Sequence, residues 1–475
     1  MLSNDLPNIV AVDLGAESCR VSLLQWTNGV PRIDLVHRFR NAPIAHGDSL
    51  HWELDHIVEE LQIGLARCAE RCRSIASVGV DGWAVDYVRL GAQDIPLSAP
   101  RCYRDLRTEP LFAELQERGA NADFFHLTGV QPLRINTLYQ LMADQAAGIS
   151  PDTPWVNLPE YVTGLLAGQL VSEYTNATHT GLVDALKHAW CDEVFDRCGL
   201  SLRAAPRLVE TGTELGRLHG PLKAYPAFEQ TRLIAPACHD TASAVAAIAL
   251  DDDGWAYISS GTWSLVGTLI ERPLTTTDAY ASGFTNLGAA GGRTCFHKNV
   301  NGMWLVQQTM KQLYAGNDRR SMAELISAAE RAKAPDGLLD VDAPELLLPG
   351  AMASSINAQR LSRGLAPIEE YAASAPVFAS LIFHSLAAHY AVVLRDLERL
   401  TGKSLRRLAI VGGGSQNQLL NRLTAETTGL ELYCGVPESS TIGNFAVQLA
   451  TLDGQPNAPE RVAYWARALT GLRQC

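Results

Sequence analysis

The stretch I-V-A-V-D-L-G at residues 9–15 is a short apolar run that ends in an aspartate and a glycine. Such a run predicts a buried β-strand that leads into a tight turn. An alternating pattern resumes in R-V-S-L-L-Q-W at residues 20–26. We therefore expect a strand–turn–strand unit near the beginning of the chain.

A second strand–turn–strand pattern begins past the middle of the chain, with W-A-Y-I-S-S-G-T-W-S-L-V-G at residues 255–267. About half of the 475 residues separate its Gly261 from Gly15. Each half thus opens with a similar pattern, which suggests two domains of like design. The length agrees with two or three domains, at one or two hundred residues for each.

Three further segments have patterns typical of regular structure. Apolar residues recur at helical spacing from Leu54 to Cys72 and predict an amphipathic helix. Strand-like runs flank the Asp81-Gly82 pair, which indicates a hairpin or a sharp bend. A long helix is expected from Pro376 to a C-cap at Gly402.

The last quarter of the chain continues with a strand at residues 408–411, a loop of three glycines, a helix and another strand at 430–434. We expect Ser415 to N-cap this helix and Gly429 to end it. Because strands and helices alternate, the fold class is predicted to be α/β.

Composition excludes several classes of protein. Hydrophobic residues make up 47% and charged residues 19%, as in a folded globular protein. The net charge of -12 argues against a nucleic-acid partner. The first eight residues have no basic and apolar regions of a signal peptide, no apolar run approaches ~20 residues, and the ten cysteines form no evident disulfide framework. We therefore expect a cytoplasmic protein with no membrane partner.

The first turn has the residue types of a phosphate site. Backbone N–H groups in a glycine turn form an anion-binding nest, to which Ser18 adds a hydroxyl and Arg20 a positive charge. Asp13, at the end of the strand, could hold Mg²⁺ through its waters. The alternative is an ordinary hairpin in which Asp13 caps its own turn.

Two later glycine segments could also receive a phosphate or a flat ring. Gly261-Thr262 repeats the features of the first turn, with a hydroxyl beside a glycine. Three consecutive glycines at 412–414 stand between a strand and a helix N-terminus. The alternative for Gly261-Thr262 is a plain turn. The alternative for 412–414 is a helix-capping turn, and a dinucleotide-binding fingerprint ranks lower because Asn417 stands where its third glycine should be.

Asp240 begins a run of small residues, H-D-T-A-S-A-V at 239–245. One interpretation makes Asp240 the N-cap of a helix. The other makes it a general base that takes the proton from an attacking hydroxyl near a γ-phosphate.

Together these segments resemble the FGGY carbohydrate kinases, and among them are most similar to the rhamnulokinases over nearly the whole chain. The resemblance is carried by A-V-D-L-G-A at 11–16, Y-R-D at 103–105, N-T-L-Y-Q-L at 136–141, E-Y-T-N-A-T at 173–178, H-D-T-A-S-A-V at 239–245, S-G-T-W-S-L at 260–265 and V-G-G-G at 411–414.

The resemblance implies two actin-like, ribonuclease-H-like domains that flank a cleft. The first, residues 1–244, would bind mainly the sugar, and the second, residues 245–475, mainly the nucleotide. It implies ATP and Mg²⁺ as cofactors and Asp240 as the catalytic base. It places these residues against ATP: Ala16, Glu17, Ser18, Cys19, Arg20, Thr262, Gln307 and Gly413. It places these against the sugar: Ala84, His239, Asp240, Thr241 and Asn299. Asp13 would belong to the metal shell.

Two departures from the family pattern bear on specificity and affinity. Rhamnulokinases typically have D-T-W-G where this chain has D-G-W-A at 81–84, so that Ala84 replaces a glycine whose backbone approaches the sugar. One added methyl group can change discrimination between sugars by about 1–3 kcal/mol. Glu17 and Cys19 stand where small residues or glycine are usual, and Glu17 would repel a triphosphate unless it points outward.

The expected activity is ATP-dependent phosphorylation of the 1-hydroxyl of L-rhamnulose by a monomer or a homodimer. L-Fuculose or another ketose is the alternative substrate. More distant alternatives are an actin-like or chaperone-like ATPase with a conformational output, and a sugar-sensing protein that has lost catalysis.

Overall fold

The computed structural model of the chain describes residues 6–250, 252–314, 321–333, 335–347, 350–436, 438–470 and 473–474. The strands are β1 Ile9–Leu14, β2 Ser18–Thr27, β3 Val30–Arg40, β4 Ile44–His46, β5 Ser49–His51, β6 Ser77–Gly82, β7 Tyr87–Arg89, β8 Trp155–Asn157, β9 Ser172–Glu173, β10 Val183–Asp184, β11 Ala189–Trp190, β12 Leu208–Val209, β13 Glu214–Arg217, β14 Arg232–Ile234, β15 Trp255–Ser260, β16 Trp263–Ile270, β17 Phe284–Gly288, β18 Thr294–Asn301, β19 Arg407–Val411, β20 Glu431–Cys434 and β21 Arg473–Gln474.

The α-helices are α1 Leu54–Ala69, α2 Glu109–Glu117, α3 Ala120–Thr128, α4 Thr137–Ala146, α5 Leu158–Ala167, α6 Tyr174–Thr178, α7 Asp192–Arg197, α8 Asp240–Ala246, α9 Thr277–Ala281, α10 Trp304–Leu313, α11 Met322–Arg331, α12 Pro344–Leu347, α13 Met352–Ser362, α14 Ala375–Thr401, α15 Gln418–Thr428, α16 Ser439–Leu452 and α17 Pro459–Thr470. Strands and helices alternate along the chain, as predicted for an α/β fold.

The described residues divide between two compact units. The first lies within Met1–Ala249, Leu269–Phe296 and Ser439–Gly471, and the second within Leu250–Thr268, His297–Glu438 and Leu472–Cys475. Helices α16 and α17, near the end of the chain, therefore belong to the first unit. The assignment of sugar binding to residues 1–244 and nucleotide binding to residues 245–475 stays a prediction.

The first unit contains a six-stranded sheet in the order β13-β14-β6-β1-β2-β3. Strands β1, β2 and β3 are antiparallel neighbours, whereas β6 pairs in parallel with both β1 and β14. The predicted strand–turn–strand unit at residues 9–26 is thus confirmed. Helix α1 confirms the amphipathic helix predicted from Leu54, but it ends at Ala69, before Cys72. Its Ile57, Leu61 and Leu65 join the core that contains Val10 and Val12 of β1.

The prediction of a hairpin or bend at Asp81-Gly82 is wrong. Both residues belong to β6, where Asp81 is in register with Asp13 of β1 and Gly82 with Leu14. A side chain at Gly82 would come within 2.8 Å of the Leu14 carbonyl oxygen, so this glycine allows close strand packing rather than a turn.

The second unit repeats the central arrangement of the first. Strand β15 is antiparallel to β16 and parallel to β19, and β19 is parallel to β20. In both units, then, the first strand of a hairpin also pairs with a parallel strand that comes later in the chain. The predicted strand–turn–strand unit at 255–267 and the strands at 408–411 and 430–434 are confirmed.

The glycine loop at 412–414 joins β19 to α15. Gly412 has φ 81°, and an added side chain there would lie 2.9 Å from the carbonyl oxygen of Ser260. The predicted N-cap at Ser415 is wrong, because α15 begins at Gln418 and the side chain of Asn417 accepts from the backbone N–H of Leu420. Gly429 ends the helix in the left-handed region, as predicted.

Helix α14 is the long helix predicted from Pro376, and Gly402 ends it with φ 71°. By length and composition the segment Ala372–Thr401 could cross a membrane, although the sequence suggested no such run. However, 72% of its most apolar part is buried inside the protein. That degree of burial is typical of the core helix of a folded domain.

Helices α8 and α16 approach each other closely within the first unit. A Cβ atom on Gly443 would lie 1.7 Å from the carbonyl oxygen of Ser243 and 2.6 Å from its carbonyl carbon. Both atoms belong to the α8 backbone, which cannot move away as a flexible side chain could. Only glycine at position 443 therefore allows this packing.

We predict that Gly443→Ala destabilises the first unit by about 1–3 kcal/mol, because the methyl group forces the two helices apart. The measurement is the free energy of unfolding in denaturant. Gly413→Ala is the control, since its Cβ would meet no described heavy atom within 4 Å. Equal stability of the two variants would contradict the close approach of α8 and α16.

Glu160 is a buried carboxyl group in α5 of the first unit. Its Oε2 accepts from Asn176 Nδ2 at 2.7 Å, and its Oε1 accepts from the backbone N–H of Glu173 at 3.3 Å. Burial raises the pKa of Glu160 to about 8. The folded protein therefore holds a proton at this site that the unfolded chain releases near pH 4.5.

This difference makes folding stability depend on pH in a defined direction. Because the folded-state pKa is raised, the contribution of Glu160 is complete below pH 4.5 and is lost as the pH rises toward 8. We predict that Glu160→Gln removes a pH dependence on the order of 4 kcal/mol over that interval. The new amide could donate to Asn176 Oδ1, which has no described partner.

The measurement is the free energy of unfolding of wild type and variant at several pH values between 4.5 and 8. Glu59→Gln on the exposed face of α1 is the matched control, since it makes the same chemical change in solvent. Parallel pH profiles for wild type and Glu160→Gln would show that Glu160 is ionised in the folded protein.

Candidate functional site

Two carboxylates lie side by side at the carboxyl ends of parallel strands. Asp13 on β1 and Asp81 on β6 are register partners, and both are buried, with exposed fractions of 5% and 0%. Burial raises the pKa of Asp13 to about 6 and that of Asp81 well above its usual range. The strand pairing therefore holds two acidic groups in a site that disfavours their ionisation.

A third carboxylate, Asp240, is the first residue of α8. His239 occupies the N-cap position, so the interpretation of Asp240 as the helix cap is wrong. Its Oδ1 accepts from the hydroxyl of Thr241 at 3.1 Å, and about a third of its side chain, 34%, is exposed. Burial raises the pKa of Asp240 to about 6. The group is thus accessible and mostly ionised at neutral pH.

The three carboxylates influence one another. The negative charge of Asp240 raises the pKa of both Asp13 and Asp81, and the charge of Asp13 raises that of Asp81. Arg20 counteracts this repulsion, since its Nη1 donates to Asp13 Oδ2 at 3.2 Å. Three acidic groups with a single cation beside them form a site in which a further positive charge would favour their ionised forms.

The imidazole of His239, the residue before Asp240, lies close to the Asp240 carboxylate. The Nε2 atom of His239 lies 3.4 Å from Asp240 Oδ1, and its ring centroid is 3.8 Å from that of His179. Burial lowers the pKa of His239 to about 3, so the imidazole is neutral at physiological pH. A neutral ring does not compensate the charge of Asp240, which is stabilised instead by hydrogen bonds from Thr241 and by the positive charge of Arg20.

The turn between β1 and β2 presents mainly its backbone. Glu17 is exposed, so its charge can point away from a bound anion. Ser18 accepts a hydrogen bond from Arg38, and Ala16 packs against the core. Cys19 is fully buried in that core, and burial raises the pKa of its thiol to about 12. Cys19 could therefore meet a phosphate only through its backbone.

Ala84 lies in a strained segment after β6. The following residue, Val85, has φ 71°, which is unusual for a β-branched side chain. Its carbonyl oxygen accepts from Thr137 Oγ1 at 2.7 Å and from Gln140 Nε2 at 3.2 Å. These two bonds hold the backbone beside Ala84 in one conformation.

The neighbouring Trp83 is also fixed by hydrogen bonds. Asp86 Oδ2 accepts from the indole N–H of Trp83 at 2.9 Å and from that of Trp52 at 2.6 Å. Burial raises the pKa of Asp86 to about 6, and these two bonds act in the opposite direction. The segment that contains Ala84 is therefore rigid on both sides.

The second unit brings four other predicted residues onto neighbouring elements. Thr262 is in the β15–β16 turn, and its carbonyl oxygen accepts from the backbone N–H of Trp304 at the start of α10, which carries Gln307. Gly413 is exposed in the loop that packs on Ser260, the last residue of β15. Asn299 is exposed on β18. These contacts assemble a turn, a glycine loop and a helix start.

Sequence reasoning missed the polar face of α16. Ser440 donates to Asp13 Oδ2 at 3.0 Å, and Asn444 donates to Asp81 Oδ2 at 2.6 Å. Gln448 donates to Asn444 Oδ1 at 2.6 Å. The sequence contained a signal, because Ser440, Asn444 and Gln448 stand at four-residue steps, which places them on one face of a helix. The partners of Ser440 and Asn444, Asp13 and Asp81, are more than 360 residues away in sequence.

Comparison with known families matches nearly the whole chain. Residues 8–247 match the N-terminal domain, and residues 256–452 the C-terminal domain, of the "FGGY family of carbohydrate kinases". These two matches cover the first strand–turn–strand unit, all of the second except Trp255, and all three carboxylates.

Solved structures of several kinases have a similar fold. A ligand-bound xylulose kinase from Lactobacillus acidophilus is 15% identical, with a TM-score of 0.79 over 99% of this chain and 93% of the other. A gluconate kinase from the same organism is 16% identical, with a TM-score of 0.78 over 99% and 93%. Plasmodium falciparum glycerol kinase with ADP is 13% identical, with a TM-score of 0.75 over 97% and 92%.

At these identities the similarity establishes the fold, and it confirms the predicted two-domain, actin-like α/β class. The family follows from the two domain matches, which together span well over half of the sequence. This chain belongs to the FGGY family of carbohydrate kinases.

Proposed function

We propose that the chain transfers the γ-phosphate of ATP to the 1-hydroxyl of a ketose, L-rhamnulose, with Asp240 as the general base. The observation that carries the proposal is the state of Asp240. Its carboxylate is one third exposed at the start of α8, has a pKa raised to about 6, and lies among two other carboxylates. A base of this pKa is mostly ionised at pH 7 and can accept a proton.

In the proposed reaction, Asp240 accepts the proton of the sugar hydroxyl while the oxygen of that hydroxyl forms a bond to the γ-phosphorus. The bond from that phosphorus to the ADP oxygen then breaks. Phosphoryl transfer of this kind depends mainly on alignment and on stabilisation of charge. The β1–β2 turn and the first residues of β2, together Ala16–Arg20, would supply backbone N–H groups and the guanidinium of Arg20. Thr262, Gln307 and Gly413 would also contact the nucleotide.

The acidic residues fit a hydrated magnesium ion. Asp81 Oδ1 is buried without a described hydrogen-bond partner, and the repulsion among Asp13, Asp81 and Asp240 would fall beside a cation. Among the described residues, no three His, Cys, Asp or Glu side chains are placed to ligate a metal together. Mg²⁺ commonly takes one or two carboxylates plus waters and substrate phosphates. When bound, it would neutralise phosphate charge.

The choice of L-rhamnulose is supported by the motifs that resemble those of rhamnulokinases, among them N-T-L-Y-Q-L at 136–141 and H-D-T-A at 239–242. His239, Thr241 and Asn299 would contact the sugar. L-Fuculose or another ketose is the second candidate, and the observation that favours it is Ala84. The rigid backbone around Ala84 cannot easily retract to make room for its methyl group.

Asp240→Asn tests the general base. We predict that kcat falls by ~10²-fold or more, because an amide cannot accept the hydroxyl proton. ADP affinity, measured by calorimetry, should stay nearly unchanged. Asp123→Asn makes the same change at an exposed site on α3 and is the control. Activity of Asp240→Asn within about tenfold of wild type would exclude a role as base.

A panel of sugars tests the substrate. We expect sugar-dependent ADP release with Mg-ATP to show its highest kcat/KM on L-rhamnulose, compared with L-fuculose, D-xylulose, gluconate and glycerol. Ala84→Gly should change the ratio between the two best sugars by about 10-fold or more, which corresponds to one methyl group in a pocket. If no sugar stimulates ADP release, the chain is not a sugar kinase.

A further inference from the structure

Glu173 is a fully buried carboxylate in the first unit, at the junction of β9 and α6. Its Oε2 accepts three hydrogen bonds, from the backbone N–H of Thr175 at 3.0 Å, the Thr175 hydroxyl at 2.6 Å and the backbone N–H of Cys238 at 2.9 Å. Its Oε1 accepts from the Thr211 hydroxyl at 2.6 Å. One side chain thus joins three separate segments of the chain.

One of those segments leads directly to Asp240. Cys238 is bound by Glu173 itself, and the backbone N–H of His239 donates to Thr175 Oγ1 at 3.2 Å. The N–H groups of the two residues before Asp240 are therefore both satisfied by the Glu173–Thr175 pair.

The opposite edge of the same segment is held by β6. The Cys238 carbonyl oxygen accepts from the backbone N–H of Gly82 at 2.9 Å, and Gly82 and His239 form a parallel bridge. Gly82 directly follows Asp81. The backbone before Asp240 is therefore fixed on one side to the strand that carries Asp81 and on the other side to Glu173.

A buried carboxylate is not needed for the local structure alone. The N-cap bond to Thr175 is sufficient to begin α6, and serine, threonine or asparagine commonly supply such a bond. The additional bonds to Cys238 and Thr211 reach residues 65 and 38 positions away. Burying a carboxylate without compensation is costly, so these distant donors account for its presence.

Resting on the proposed role of Asp240, we propose that Glu173 is a positioning residue for the catalytic base, acting with Thr175 through the backbone N–H groups of Cys238 and His239. Glu173 does not touch the substrate in this proposal. It fixes where α8 begins, and hence where the Asp240 carboxylate stands relative to Asp13 and Asp81. A displacement near 1 Å at a reacting group can cost about 10²-fold in rate.

The experiment compares Glu173→Leu with Glu173→Gln, using the sugar that gives the fastest ADP release with wild type. The amide of glutamine can accept from Cys238 and Thr175 through its oxygen and donate to the Thr211 hydroxyl, which also accepts. Leucine can do neither. We expect Glu173→Leu to lower kcat by about 10²-fold and Glu173→Gln to stay within about fivefold of wild type.

Each kcat is expressed per folded molecule, with the folded fraction taken from calorimetric ADP binding. The KM for the sugar should change by less than about threefold, because the positioning acts on the base rather than on sugar binding. A purely structural role predicts fewer folded molecules with an unchanged kcat for each. That result, or equal kcat values for the leucine and glutamine variants, would overturn the proposal.

A second pair of variants applies if Glu173→Leu does not fold. Thr175→Val replaces the hydroxyl that receives the His239 N–H by a methyl group of similar size, and Thr175→Ser keeps the hydroxyl. We expect kcat about tenfold lower for valine and within about twofold of wild type for serine. Equal kcat for both variants would overturn the proposal. An absence of sugar-dependent ADP release in wild type would instead overturn the proposed function itself, and the positioning role with it.

Discussion

The pairing of β1 with β6 places Asp13 beside Asp81 in a buried environment, and the rest of the first unit is arranged around this constraint. Burial opposes the ionisation of both groups, and a charge on either one makes ionisation of the other less favourable. Arg20 offsets part of the repulsion, and Asn444 donates to Asp81. Hydrogen bonds from distant parts of the chain thus stabilise a site that is electrostatically unfavourable on its own.

Helices α8 and α16 connect this acidic pair to Asp240. Helix α16 binds both strands through Ser440 and Asn444, and its Gly443 lets α8 pack against its backbone. Because α8 begins with Asp240, the spacing between the third carboxylate and the first two depends on that helix contact. We therefore expect the spacing of the three carboxylates to be more sensitive to substitution of the close-packed Gly443 than to substitution of exposed residues on either helix.

Local patterns predicted the elements that depend on local physics. The hairpins at 9–26 and 255–267, helix α1, helix α14 and the glycine C-caps at 402 and 429 follow from periodicity and from the conformations that glycine allows. Asp81-Gly82 has the composition of a turn but lies in β6, because parallel pairing with β1 outweighs local preference. Asn444 and Gln448 could not be assigned, since their partners are distant in sequence. The sequence motifs predicted the family. No local pattern indicated that the side chain of Glu173 accepts a hydrogen bond from the backbone of Cys238.

The buried thiol of Cys19 bears on how the phosphate-type turn responds to its chemical surroundings. A cysteine in an exposed glycine turn would react readily with alkylating reagents and oxidants, because the thiolate is the reactive form. Here the sulfur lies in the core beneath the turn and its thiol pKa is about 12, so it behaves as a small apolar side chain. The turn therefore gains a core anchor at this position without acquiring sensitivity to redox conditions.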